Sequence, residues 1–420
     1  MKELNLNIYQ VIKILLRALD HIDVRLVDHG HRVAYIVYKM LQVDGSYNER
    51  EMQEICIVTA LHDIGAYKTE EIDHMMRFES ADVFDHSIYG YLFFKHMSPL
   101  RKWAEVVLYH HMNYDMYQHL DRKHLQIADM IHLADRVDVM LQKGEQSLSL
   151  EEMARQQNLH FGTHAIELFQ KVSEQHDLSG NIKNGSYLNE LMDFGTTAEY
   201  SEETLLEFIR MIAYSIDFRS ETTVSHVITT VCISMELGKL FGLNENDLEK
   251  IQLGAYLHDI GKISTPLGIL EKPGCLTHEE MLIMKEHINV TREILKGRIH
   301  DDVLEIAYRH HEKIDGSGYP QKLKADKLTL SERIVAVADM VSALTGKRSY
   351  KESFPKAAVI EIMQNQRDEG KLCDRVLDSA IRHYDYIMES SNKNIIMVTD
   401  MYNHIRKEFH LIKKRFEELK

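Results

Sequence analysis

The side chains of this chain that could do chemistry crowd into residues 253–320. The stretch opens with Leu253-Gly254-Ala255-Tyr256-Leu257-His258-Asp259-Ile260-Gly261-Lys262. It closes with His310-His311-Glu312-Lys313-Ile314-Asp315-Gly316-Ser317-Gly318-Tyr319-Pro320. The C-terminal half as a whole offers His226, His258, Asp259, His287, His310, His311 and Asp339 as nitrogen and oxygen donors. A metal that activates water needs neutral imidazoles and ionised carboxylates, with one position left open. A thiolate-free set suits Mn, Fe or Zn and disfavours a structural zinc site. Two cations roughly 3.5–4 Å apart clamp both the attacking and the leaving oxygen of a phosphodiester, and one bridging carboxylate is the simplest way to hold them. The chemistry expected of the stretch is hydrolysis of a phosphodiester.

The same landmarks occur in the same order in the N-terminal half. Leu61-His62-Asp63-Ile64-Gly65 matches Leu257-His258-Asp259-Ile260-Gly261, and Leu108-Tyr109-His110-His111 matches Tyr308-Arg309-His310-His311. Leu133-Ala134-Asp135-Arg136-Val137 matches Val337-Ala338-Asp339-Met340-Val341, while His29 and His86 correspond to His226 and His287. A lone His on an apolar helix is ordinarily a satisfied core residue. An ordered set that occurs twice points to a tandem duplication.

The elements must bring these residues together. Neighbours in a regular helix point about 100° apart, so His258 and Asp259 converge only near a helix end or on two different metals. Ile260-Gly261 supplies that end, and His310-His311 run straight into a glycine-rich loop. His226 is expected to begin a helix, as His29 does. Ile8, Val11, Ile12, Leu15, Leu16 and Leu19 recur at helical spacing, as do Leu205, Phe208, Ile209, Ile212 and Ala213. Residues 142–200 read as a linker, with Leu178–Ser186 as a turn-rich segment. Ile405, Phe409, Ile412 and Phe416 interleave with charges and predict an amphipathic closing helix.

Composition sets the outer limits. The chain has 420 residues, enough for two or three domains. Only 5 prolines and 20 glycines, among many Leu, Ile, Met, Glu and Lys, favour helix over sheet. The four cysteines are scattered, which suits reduced, cytoplasmic thiols. No apolar run is long enough to span a membrane, and Met1–Asn7 does not read as a signal peptide. A net charge of −15 argues against a nucleic-acid polymer as partner, so an anionic ligand needs a local basic pocket or a metal.

The quoted residues resemble the HD superfamily of metal-dependent phosphohydrolases. From about 215 to 385 they are similar to its HD-GYP subfamily, through His258-Asp259-Ile260-Gly261-Lys262, His310-His311-Glu312 and Asp315-Gly316-Ser317-Gly318-Tyr319-Pro320. The resemblance implies an all-α fold of two tandem HD-type helical domains joined by a helical linker. The boundaries expected are an HD-like domain over 1–145, a linker over 146–200, the HD-GYP domain over 201–390 and a closing helix over 391–420. It implies a phosphodiesterase for a cyclic dinucleotide, cyclic di-GMP first, with 3′,3′-cyclic GMP-AMP, another HD nucleotide substrate or a non-catalytic nucleotide-sensing scaffold as alternatives. Asp259 matches the metal-bridging aspartate, and His226, His258, His287, His310, His311 and Asp339 match the other ligands. Lys262 matches the lysine that contacts the scissile phosphate, and Arg348 and Lys351 the pair that holds the substrate phosphates. The implied cofactors are two divalent transition metals, Fe or Mn first, with Zn, Ni or Co as other occupants. Three-metal members carry a glutamate four residues before the first ligand, where this chain has Thr222. Signalling partners through the Gly-Tyr-Pro loop and a homodimer are further implications. The N-terminal copy keeps His29, His62, Asp63, His86, His110, His111 and Asp135 but has Ala66 in place of the lysine and Met112–Tyr117 in place of the loop. It is expected to be a structural or regulatory copy, or a hydrolase of different specificity.

Overall fold

The computed structural model describes residues 6–66, 84–117, 123–142, 157, 159–195, 199–219, 225–346 and 354–419. Their regular structure is helical, with two isolated β-bridges, Gln157 to Phe161 and Asp315 to Lys324. None of their helices is long and apolar enough to cross a membrane. The chain divides into two compact units that follow the duplication only in part. One is Ile22–Tyr200 with Ile405–Lys420, and the other is Met1–His21 with Ser201–His404.

In the first unit, Asp23 caps the helix Val24–Asp44 by accepting from the Arg25 amide, and Gly45 ends it at φ 69°. His29 therefore sits inside this helix rather than at its start. The helix packs on Glu49–Ala60 and on Lys123–Gln142. Phe84–Met97 packs on Ala104–Tyr109. The stretch read as a linker is folded onto this core. Thr163–Gln175 lies against Val24–Asp44 and Lys123–Gln142, and Ser186–Gly195 lies against Val24–Asp44. Leu178–Asn184 is a helix rather than a run of turns. Asp177 caps it through the Gly180 amide, Leu178 and Ile182 bury one face, and Gly185 at φ 78° stops it. Two turn-formers at the ends of a short helix look, in sequence, like a turn.

In the second unit, the helix His226–Leu240 packs on Leu330–Thr345 and on Glu245–Leu257, and Glu245–Leu257 packs on Asp301–Tyr308. Asn244, Thr277 and Thr329 cap their helices with side-chain oxygens. The helix Ile8–Asp20 belongs here, although the sequence reading placed residues 1–145 in one domain. Its Val11, Ile14, Leu15 and Ala18 are fully buried against Glu202–Arg219, His287–Leu295 and the turn Ile260–Ser264. The apolar stripe of an N-terminal helix says that it needs a core, not which one. The last helix, Tyr384–Leu419, is continuous and contributes its two ends to different units.

Candidate metal centre

The second unit gathers the seven donors of its half. The helix Glu245–Leu257 stops at Leu257, so His258 and Asp259 lie at its end, ahead of the 3-10 turn Ile260–Ser264. His310 and His311 likewise follow the end of Asp301–Tyr308, and His287 is the first residue of His287–Leu295. The two oxygens of Asp259 face different partners. Oδ2 lies 3.5 Å from His226 Nε2 and 3.2 Å from His258 Nε2. Oδ1 lies 3.4 Å from His287 Nε2 and 3.8 Å from His310 Nε2. Asp339 extends both sets, with Oδ1 3.1 Å from His226 Nε2 and Oδ2 3.7 Å from His311 Nδ1. Lys262 Nζ is 2.5 Å from Asp259 Oδ2.

The ring orientations are fixed from behind. The Nδ1–H groups of His258, His287 and His310 donate to the carbonyls of Ala255, Met284 and Ala307, three residues earlier, at 2.7, 2.6 and 2.7 Å. Each Nε2 lone pair is then aimed inward. These three Nε2 atoms and Asp259 Oδ1 are buried without a hydrogen-bond partner. Orphaned buried donors and acceptors are costly in a finished core. A divalent cation on each side of Asp259 would satisfy all of them, so the donor set fits a metal pair. Burial alone would raise the Asp259 carboxyl, but His258, Lys262 and His226 hold it well below the usual range. Burial pushes His287 down to about 4 and His311 down to about 3, and burial with His311 and His258 holds His310 far below its ordinary value. His287, His310 and His311 are the neutral imidazoles and Asp259 the ionised carboxylate that ligation needs, while Asp259 raises His258 against its burial.

Gly261 lets the two halves meet. A Cβ there would lie 1.9 Å from the His287 carbonyl oxygen and 2.7 Å from the Thr291 amide nitrogen. Thr291 closes the contact, its hydroxyl accepting from the Gly261 amide at 3.0 Å and donating to the His258 carbonyl at 3.2 Å. Beside the donors lies a cavity of about 430 Å³, lined by His226, Lys262, Met284, His287, His311 and Tyr319 among others. That volume is in the range of small-molecule sites. Tyr319 packs on the His311 ring at 4.8 Å, and Lys285 Nζ lies 4.9 Å from the Tyr319 ring centre.

The first unit repeats the arrangement. Asp63 Oδ2 lies 3.3 Å from His62 Nε2 and 4.0 Å from His29 Nε2, and Oδ1 lies 3.6 and 3.4 Å from His86 and His110 Nε2. Asp135 is 3.1 Å from His29 Nε2 and 3.8 Å from His111 Nδ1. A Cβ at Gly65 would also meet the carbonyl oxygen of the third ligand, His86, at 1.9 Å.

Several positioning residues are missing from the sequence reading. Ser342 Oγ donates to the His226 carbonyl and accepts from its Nδ1–H, both at 2.9 Å. Asp138 does the corresponding work for His29, at 2.8 Å, while Arg32 grips both oxygens of Asp138 at 2.6 and 2.9 Å. Both sit three residues after the ligating-type aspartate, one helical turn along the same face, and that spacing was the available signal. Glu312, which the sequence alone leaves open as a supporting or proton-transfer group, accepts from the Gln321 and Leu323 amides at 2.6 and 2.9 Å and so holds the Gly-Tyr-Pro loop. Asp315 orders the loop tip through the Ser317 amide. Arg348, Lys351 and Thr222 lie outside the described residues.

With this geometry in place, the comparisons with known proteins carry weight. A family profile described as an HD domain matches residues 208–376. The 3′3′-cGAMP-specific phosphodiesterase 1 of Vibrio cholerae is 30% identical over 400 residues, spanning 91% of this chain and 93% of that protein. This chain belongs to the HD-GYP family. A cyclic di-GMP phosphodiesterase response regulator of Xanthomonas campestris is 38% identical over 185 residues, 43% of this chain and 48% of that protein. A crystal structure of a Vibrio cholerae cyclic GMP-AMP specific phosphodiesterase shares the fold, with a TM-score of 0.53 at 15% identity over 90% of this chain and 98% of that one. As an HD-GYP protein, the chain carries its loop residues and Lys262 only in the second unit, beside the cavity.

Proposed function

We propose that the second unit hydrolyses a 3′–5′ phosphodiester of a cyclic dinucleotide, with 3′,3′-cyclic GMP-AMP as substrate, at a site where Asp259 and the histidines around it would hold two divalent cations. The observation that carries this reading is the division of Asp259, whose two oxygens face separate histidine sets beside a lysine-lined cavity. Bound metals would supply an activated water at neutral pH and charge to offset the phosphoryl oxygens. His226, His258 and Asp339 would hold one cation, and His287, His310 and His311 the other.

The remaining chemistry falls to the chain itself. Lys262 Nζ, paired with Asp259, is placed to turn to a phosphate oxygen and neutralise the charge that develops there. The apolar wall of Leu270, Leu276, Met281 and Met284 offers a surface for a base. Tyr319, held by the Glu312-ordered loop, fixes the His311 ring. Arg348 and Lys351 follow the lysine-bearing pattern and would clamp the second phosphate.

The substrate choice rests on the relative that matches both halves of the chain, which is named for cyclic GMP-AMP. Cyclic di-GMP is the second reading, favoured by relatives such as that of Thermotoga maritima, 40% identical over 158 residues. The full chain with Mn²⁺ or Fe²⁺ should open 3′,3′-cyclic GMP-AMP to a linear dinucleotide faster than cyclic di-GMP, by chromatography of the products. Failure to open any cyclic dinucleotide, with metals demonstrably bound, would overturn the proposal.

A further inference from the structure

The N-terminal unit is where the structure says most beyond the reaction above. We infer that it holds a metal centre of its own, built on Asp63 and buttressed by Asp138, which retains divalent transition metal more tightly than the centre at Asp259. Two donor groups lie ready there: His29, His62 and Asp135 in one, and Asp63, His86, His110 and His111 in the other. Within each group the donor atoms lie within 4.8 Å of one another.

Four of these donor atoms are not those of satisfied core residues, whereas His29 Nε2 lies 3.1 Å from Asp135. His62 Nε2, His110 Nε2, Asp63 Oδ1 and Asp135 Oδ2 are all buried without a hydrogen-bond partner. His62 and His110 are 1% and 0% exposed. Their other ring nitrogens donate to the Thr59 and Val107 carbonyls at 2.7 and 2.6 Å, so the orphaned Nε2 atoms are acceptors, one facing each oxygen of Asp63. Buried lone pairs that converge without a proton between them are stabilised by a cation.

Two differences set this centre apart from the other. The first lies behind the histidine. His29 Nδ1 is 2.8 Å from the Asp138 carboxylate, whereas His226 Nδ1 meets the Ser342 hydroxyl. A carboxylate behind a ligating imidazole fixes its tautomer and raises its basicity. Arg32 holds that carboxylate in place through both oxygens. The second is charge. With the imidazoles neutral, as ligation requires, Asp63, Asp135 and Asp138 against Arg32 leave two negative charges among the described contacting groups, while Asp259 and Asp339 against Lys262 leave one. Buried Ala66 stands where Lys262 stands, so that cation does not compete for the bridging carboxylate. A site lacking that lysine also lacks the group proposed above to neutralise a phosphate, which suits retention rather than turnover.

The test is metal content of the full chain by inductively coupled plasma mass spectrometry, before and after dialysis against a chelator, for wild type, Asp63→Asn, Asp259→Asn and Asp138→Asn. Before dialysis, Asp63→Asn and Asp259→Asn should each lose about half of the wild-type metal. After dialysis, the metal that remains should persist in Asp259→Asn and be absent from Asp63→Asn. Asp138→Asn should hold N-terminal metal 10–100-fold more weakly. Should Asp63→Asn not fold by circular dichroism, His111→Gln, at the rim of the site, gives the same reading. Wild-type metal content in the Asp63 or His111 variant, or retained metal that vanishes with Asp259→Asn, would overturn the inference. The outcome is independent of whether the second unit turns over any cyclic dinucleotide.

Discussion

Replacing Gly261 by alanine tests how closely the two halves of the centre depend on one backbone contact. The added Cβ would lie 1.9 Å from the His287 carbonyl oxygen and 2.7 Å from the Thr291 nitrogen, both main-chain atoms of the helix that starts with His287. Real Cβ contacts essentially never fall below 3.0 Å, so the carbonyl must retreat by at least about 1.1 Å. No flexible side chain can absorb that shift. Overpacking of this kind costs about 1–3 kcal/mol of stability. The retreat also carries His287 Nε2 away from Asp259 Oδ1, now 3.4 Å distant. A misplacement near 1 Å at a reacting centre costs roughly 10²-fold in rate. The expected result is a folded protein with a lower melting temperature, about 10²-fold lower kcat/KM on its cyclic dinucleotide, and reduced metal content in the second unit. Steady-state kinetics, calorimetry and metal analysis on one preparation would settle it. Wild-type kcat/KM with wild-type metal content would show that the His287 helix is not fixed by this contact, and the reasoning from backbone proximity would fail.

Two further outcomes follow from single side chains. Lys262→Met should lower kcat by about 10²-fold while metal content stays at the wild-type level, because a phosphate-neutralising group is lost and no ligand is; a matching loss of metal would assign Lys262 to ligand positioning instead. Asp129, buried and bonded to the Gly162 amide, is pushed up to about 7 by burial. Its folded-state value lies above its unfolded one, so its contribution is present at low pH and is lost as pH rises from about 4 to about 7. The span is up to about 4 kcal/mol. Asp129→Asn should therefore melt higher than wild type at pH 8 and by a clearly smaller margin at pH 5; the same margin at both pH values would refute this.

The sequence went far where chemistry forces residue type and stopped where packing chooses among equals. The paired landmarks at His62-Asp63 and His258-Asp259 were legible because few structures need that order of donors twice. The break after Leu257, which turns two adjacent side chains toward one point, was legible from Ile260-Gly261. The supports behind the ligands were not. Ser342 and Asp138 are ordinary helix residues until the imidazole in front of them is located. Glu312, next to two histidines, invited a catalytic reading, and only the two loop amides on its carboxylate give its task. Helix Ile8–Asp20 showed its apolar stripe plainly, but Val11 and Ile14 would bury equally well against either duplicate.

That helix has a consequence for how the protein is made. The surfaces it covers, around Ile260–Ser264 and His287–Leu295, are translated more than two hundred residues after it. At about 5–20 residues per second, its apolar face stays uncovered for at least ten seconds or so. The unit Ile22–Tyr200 waits too, since its Ile405–Lys420 segment is made two hundred residues after the rest of it. A fragment beginning at residue 201 would leave bare the underside of the turn that carries Gly261 and Lys262.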